Sequence, residues 1–153
     1  MQIQRIDINT LYLAVELFDK YRVFYHQSAD IELAKQFLQQ RIANNESVIF
    51  AAIDDENEKT IPAGFTQLYP LYSSVRATKN WILNDLYVDA NYRKQGIGKK
   101  LIEAAIHFAK EQGATFIQLE TMPDNITAQR LYEAIGFEQY NPFEGELVYK
   151  IKL

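Results

Sequence analysis

Apolar residues recur along the chain in two rhythms, one suited to strands and one to helices. Met1 to Ile8 alternates loosely, which predicts a strand. Leu11, Ala14, Val15, Phe18 and Tyr21 then recur at helical spacing, a stripe that Asn9 or Thr10 can cap and that ends near Tyr25. Ser28 or Asp30 can cap a second helix carrying Ile31, Ala34, Leu38 and Ile42 on one face. Ser47–Ile53 and Pro62–Tyr72 read as two strands of a hairpin across a charged turn, and Trp81–Val88 as a nearly continuous apolar strand of the kind found inside a sheet. From Gly98 to Glu111 the stripe Leu101, Ile102, Ala105 and Phe108 predicts a helix stopped at Gly113, followed by a strand over Thr115–Thr121. That strand, helix and strand form a right-handed unit with a parallel pair. Asn125 or Thr127 can cap a last helix that ends at Ile135 before Gly136. Phe137–Tyr140 and Glu146–Lys152 read as final antiparallel strands across the Asn141-Pro142 loop. The order β, α, α, β, β, β, α, β, α, β, β predicts an α+β fold with a mixed sheet.

Composition narrows the classes. The chain has 153 residues, the size of one domain, expected over 1–153. With 48% hydrophobic and 24% charged residues it is neither disordered nor of low complexity. Cysteine is absent, which removes disulfides, thiolate metal sites and a cysteine nucleophile. No His/Asp/Glu cluster has metal-ligand spacing, so no metal is expected. The net charge of -4 argues against nucleic acid and for cationic partners. MQIQRIDINT has no apolar run of a signal peptide and no stretch is long enough to span a bilayer, so a cytoplasmic protein without a membrane partner is expected.

The stretch that changes the picture is Arg93-Lys94-Gln95-Gly96-Ile97-Gly98-Lys99-Lys100, between a central strand and a helix. The first amides of a helix lack internal partners and sit at the positive end of its dipole. Gly96 and Gly98 remove the Cβ atoms that would hold a phosphate away, and four cations surround them. An anion cradle follows, most naturally for a pyrophosphate. The dinucleotide fingerprint fails because Leu101 stands where its third glycine belongs, and the Walker spacing is absent.

R-K-Q-G-I-G-K resembles the [RQ]-x-x-G-x-[GA] signature of the GNAT superfamily of N-acetyltransferases. Asn125, Ala128, Leu131, Tyr132, Gly136 and Phe137 are similar to its N-x-x-A-x-x-L-Y-x-x-x-G-F segment, and LNDLYVD to strands of its polyamine and histone-tail group. The resemblance covers Leu83 to Phe137. It implies a three-layer acyl-CoA N-acyltransferase fold: a mostly antiparallel seven-stranded sheet with a central splayed parallel pair and about four helices. It also implies acetyl-CoA as co-substrate and a homodimer joined through the last strands.

The same resemblance assigns roles. The pyrophosphate falls to Arg93, Lys94 and the amides of Gln95, Gly96, Ile97, Gly98 and Lys99, and the pantetheine arm to the backbone of Leu86, Tyr87 and Val88. Asn125 matches the cofactor-binding asparagine, with a plain helix cap as the alternative. Tyr132 matches the general-acid tyrosine, which would protonate the leaving thiolate and touch the cofactor; a core aromatic is the alternative. Asp85, a carboxylate within an apolar strand, is the candidate for catalysis and for binding the acceptor amine, against a structural salt bridge. Asn84 stands where the polyamine group commonly has a glutamate. Glu120 is a weaker candidate for the same work. Tyr25, with Tyr21, Tyr69, Tyr72 and Tyr87, could line an acceptor groove, or simply pack. The implied reaction carries the acetyl group to a primary amine of a small or flexible cationic molecule or peptide: polyamine-like, an amino-sugar or a lysine side chain. It proceeds by direct attack in a ternary complex. An acyl-CoA-binding regulatory or assembly module without efficient turnover is the alternative.

Overall fold

The computed structural model describes residues 1–55, 59–140, 147 and 149–153, in two compact units, Met1–Glu120 and Thr121–Leu153. The first unit holds strands β1 (Gln2–Arg5), β2 (Val48–Asp54), β3 (Ile61–Ser73), β4 (Thr78–Val88) and β5 (Ile117–Gln118), and helices α1 (Tyr12–Phe24), α2 (Ile31–Ala43) and α3 (Ile97–Glu111). The second holds α4 (Ile126–Ile135). The strands make one sheet in the order β1-β2-β3-β4-β5, antiparallel except for β4 and β5.

The expected α+β class and mixed sheet are present, but the described residues form five strands instead of seven. Phe137–Tyr140 is not a strand, nor are residues 147 and 149–152; Glu146 and Val148, and the Asn141-Pro142 loop, lie outside the described residues. The first strand stops at Arg5 because Asp7 closes a turn: its Oδ1 accepts from the amides of Asn9 (2.8 Å) and Thr10 (3.0 Å), and its own amide donates to Thr10 Oγ1 (2.9 Å). Asn9 and Thr10 are therefore spent in that turn, and α1 has no side-chain cap. The second helix is capped by Asp30, which accepts from the Leu33 amide. The expected strand over Thr115–Thr121 shrinks to two residues. Asn80 Oδ1, buried at the start of β4, accepts from the amides of Thr115 (2.7 Å) and Phe116 (3.1 Å), and pairing ends after Ile82 with Gln118.

Two cores sandwich the sheet. Against one face, α1 and α2 bury Leu13, Ala14, Leu17, Phe18, Ala34 and Leu38 on Ile49, Ala51 and Phe65, with Tyr21 and Tyr87 packed alongside. Against the other, α3 sets Ile97 and Leu101 on Ala52 and Ala63, beside Leu86 and Val88. Gly64 sits under the start of α3. A Cβ there would come 2.8 Å from the Tyr87 carbonyl and 3.3 Å from Leu101 Cδ1, so only glycine permits this approach.

One extra residue in β4 decides which side chain faces which core. Gln67 pairs with Asp85 and Leu68 with Leu83, leaving Asn84 as the bulged residue. Before it, the odd-numbered Trp81 faces α3 and meets Phe108 with ring centres 5.1 Å apart. After it, the even-numbered Leu86 and Val88 face α3, and the odd-numbered Asp85 and Tyr87 turn to the α1 side.

Candidate functional site

The first half of the site is the loop between β4 and α3. Asp89 opens it: its amide donates to Ala63 O (2.9 Å), its carboxylate accepts from the Asn91 amide (3.0 Å) and it pairs with Lys20 of α1 at 2.8 Å. The Lys20 hydrogen bond holds the Asp89 carboxyl below its ordinary range. After a single turn of 3-10 helix (Ala90–Tyr92), Lys94 and Gly96 both adopt left-handed backbone, at φ +62° and +76°. Gly96 is the residue before α3, and the first rung of that helix is Lys100 N–H to Gly96 O. The amides of Ile97, Gly98 and Lys99 thus precede the ladder and carry the positive end of the dipole. Ile97 itself is buried at 2% exposure, so it offers the site its amide and the core its side chain. A Cβ on Gly96 would meet nothing within 4 Å, so here glycine serves the turn's left-handed geometry before it serves clearance. The cradle fits a phosphate or pyrophosphate by its donors and by Arg93, Lys94, Lys99 and Lys100 around it.

The open edge of β4 adjoins this loop. Beyond Ile82, β4 has no strand partner on the β5 side among the described residues. The Tyr87 carbonyl points towards Gly64 of β3, so by alternation those of Leu86 and Val88 point to the open edge. Arg93 takes one of them, donating from Nε to Val88 O (3.1 Å), with its guanidinium 5.8 Å from the Tyr87 ring centre.

The second half of the site surrounds Asp85, which is 3% exposed. No ion pair to it is recorded among the described residues, so the salt-bridge alternative is not what holds it. Its Oδ2 accepts from Gln67 Nε2 and its Oδ1 from Asn84 Nδ2 (2.7 Å), and the Tyr21 hydroxyl donates to the same carboxylate. Burial pushes the Asp85 carboxyl above its ordinary range, and these donors pull it part of the way back. Burial first, then the Asp85 charge, pushes the Tyr21 and Tyr69 phenols far up, so both remain protonated.

Of the five tyrosines named for this side, Tyr21 bonds Asp85, Tyr69 lies within its field, and Tyr25 stacks edge-on to Tyr21 at 5.0 Å. Tyr87 lies in the same row, 6.5 Å from Phe24, whereas Tyr72 is exposed and sits beside Lys79. Glu120 is exposed beyond the end of β5. A groove of about 520 Å³ between α1 and α2, lined by Leu11, Tyr12, Val15 and Ile31, shares no residue with the Asp85 cluster. Gln67 was missed from sequence; its signal is the one that exposed Asp85, a polar residue within an apolar strand.

In the second unit Asn125 caps α4 by accepting from the Ala128 amide (3.1 Å), and Gly136 ends the helix at φ +116°. Tyr132 lies on α4 with its ring 6.1 Å from that of Phe137.

Comparisons with known proteins agree on the family. The model of the acetyltransferase (GNAT) family matches residues 12–137. An uncharacterized N-acetyltransferase of Bacillus subtilis, YhfO, is 44% identical over 127 residues, 83% of either chain. A probable spermine N(1)-acetyltransferase of Bacillus subtilis subsp. natto is 35% identical over 81 residues, 52% of this chain and 51% of that one. A crystal structure of a probable acetyltransferase superposes with a TM-score of 0.87 at 37% identity, covering 100% of this chain and 98% of the other.

Proposed function

The chain belongs to the GNAT family of acetyltransferases, and on that premise we propose that it moves the acetyl group of acetyl-CoA onto a primary amine of a cationic acceptor, by direct attack with both substrates bound. The observation that carries the acceptor half is Asp85: a buried carboxylate held by neutral donors, with no cation recorded against it. A buried anion without a counter-ion is costly, and a protonated amine entering beside it relieves that cost. Spermine in a relative's name fits such an acceptor, as do an amino-sugar or a lysine side chain.

Acetyl-CoA supplies the activated thioester. The cradle from Lys94 to Lys99 binds its pyrophosphate, and the open-edge carbonyl of Leu86 pairs with the pantetheine arm as an added strand would. Asp85 draws in the ammonium and favours its loss of a proton, directly or through water. The Tyr132 phenol hands a proton to the departing thiolate, a transfer its ordinary acidity permits. Asn125 steadies the cofactor from the start of α4. The non-catalytic alternative drew on Asn84 in place of a second carboxylate; Asn84 serves Asp85 as a donor, so that feature no longer favours it. A homodimer through the chain's end belongs to the same reading and is supported by Leu147, Tyr149 and Ile151, which alternate and are exposed.

Thiol release from acetyl-CoA should saturate with at least one amine in a panel of polyamines, amino-sugars and lysine peptides; no turnover with any of them would end the proposal. Tyr132→Phe should lower kcat roughly 100-fold, and full activity would remove Tyr132 from the mechanism. Gly96→Val should weaken CoA binding by about tenfold or more, because a β-branched residue in left-handed backbone is strained by roughly 1–2 kcal/mol. Calorimetric titration with CoA alone checks this without turnover.

A further inference from the structure

Gln67 lies on β3 directly opposite Asp85 and is fully buried. Its amide makes one bond and forgoes another: Nε2 donates to Asp85 Oδ2, while Oε1 is buried without a hydrogen-bond partner. A buried orphan acceptor is unfavourable, and turning the amide over would not remove the problem. It would point Oε1 at the carboxylate and strand Nε2. The orientation is therefore dictated by an acceptor at Asp85, which an ionised carboxylate is on both oxygens. Asn84, displaced by the bulge, covers Oδ1, and the Tyr21 hydroxyl adds a third neutral donor. The titratable and charged groups around this carboxylate are Tyr21 and Tyr25 on α1, Tyr69 on β3, and Arg41 of α2, which acts on Tyr69. None of the recorded partners neutralises Asp85.

We propose that Gln67 is a positioning residue that keeps Asp85 ionised while leaving its charge free for the acceptor amine. A lysine or arginine in its place would also hold the anion, but would cancel the charge that draws the substrate. The Gln67 amide stabilises the charge by a dipole and leaves it in place. The inference rests on the acceptor role of Asp85 proposed above and adds a residue that itself need not touch substrate.

The test is the pH dependence of kcat/KM. Activity that needs ionised Asp85 rises with pH through its titration. Removing a donor that favours the carboxylate raises that titration, so the acid limb moves to higher pH. Gln67→Met, of similar length and without a donor, should move the limb up by about one pH unit, with activity recovering on the alkaline side. Thr66→Val is the control. Thr66 Oγ1 donates to the Asp85 backbone carbonyl (2.8 Å), so its loss disturbs the same segment without touching the carboxylate. Its limb should stay in place. If Gln67→Met does not fold, Gln67→Glu keeps the shape and places two carboxyls in contact, which should move the limb further in the same direction. A limb unmoved in the folded Gln67 variant, or moved equally by Thr66→Val, overturns the inference. Asp85→Asn separates the two claims: if it retains wild-type activity and acid limb, the acceptor role itself falls. If it is inactive while the Gln67 variants keep the wild-type limb, only the role of Gln67 falls.

Discussion

Asp85→Asn should give a protein that melts at a higher temperature and scarcely turns over. The side chain is buried, takes three neutral donors and has no recorded cation, so its charge opposes folding. Burial raises its titration in the folded state above the value in the unfolded chain. Between those two values the native state binds more protons, so stability falls as pH rises through that window, and the penalty is complete above the folded value. Asparagine removes the charge and the pH dependence together. It also lets Gln67 turn over so that Oε1, now orphaned, accepts from the new amide. A gain of about 1 kcal/mol is expected, in line with buried charges replaced by neutral groups. In the same protein kcat/KM should drop roughly 100-fold or more, the scale of losing a proton-handling or charge-binding group. Melting curves of both proteins at pH 5 and pH 8 check the sign: the variant's advantage should be larger at pH 8. A variant less stable than the parent at both values would contradict this account of Asp85.

Gly64→Ala should be the most damaging single methyl in the sheet. The added carbon meets the Tyr87 carbonyl, which is strand backbone and cannot step aside, as well as Leu101 and Ile97 of α3. Overpacking of this kind costs about 3 kcal/mol, which for a chain of this size lowers Tm by roughly 6–12 °C. The helix that must move is the one whose first amides form the phosphate cradle, so CoA affinity should fall although Gly64 touches no ligand. Gly113→Ala is the comparison: it also places alanine in left-handed backbone, at φ +77°, but nothing lies within 4 Å of its Cβ. It should lose only about 1 kcal/mol and leave CoA binding intact. Equal losses at the two positions would show that conformation, not contact, sets the need for Gly64.

What could be read from residues alone followed the range over which each signal acts. The β2–β3 hairpin and the stripes of α1, α2 and α3 repeat over many residues, and their bounds hold to within a few positions. The cradle was legible because two glycines and four cations crowd into eight residues. The bulge at Asn84 was not, since one inserted residue leaves no mark in a run that is apolar on both faces. Yet it decides that Asp85 looks towards α1. The Asp7 turn was hidden because Asn9 and Thr10 are equally good caps for the following helix, and only the folded backbone shows that Asp7 claims their amides. Gln67 escaped because its partner lies across a strand pair, where sequence distance says nothing of register.

The sheet whose spatial order repeats the order of the chain also ranks its parts by how readily they form. The β2–β3–β4 meander closes through two turns, so little chain entropy stands between its strands and their partners. Strand β1 reaches β2 only across both α1 and α2, and β5 reaches β4 only across α3. Gln67 and Asp85 lie inside the meander, so their pairing belongs to the stretch with the lowest entropic barrier. The phosphate cradle and the two-residue β4–β5 contact belong to the crossover that must close a longer loop. The carboxylate's surroundings are thus built into the fast-forming part of the molecule, and the cofactor's cleft into the part that closes after it.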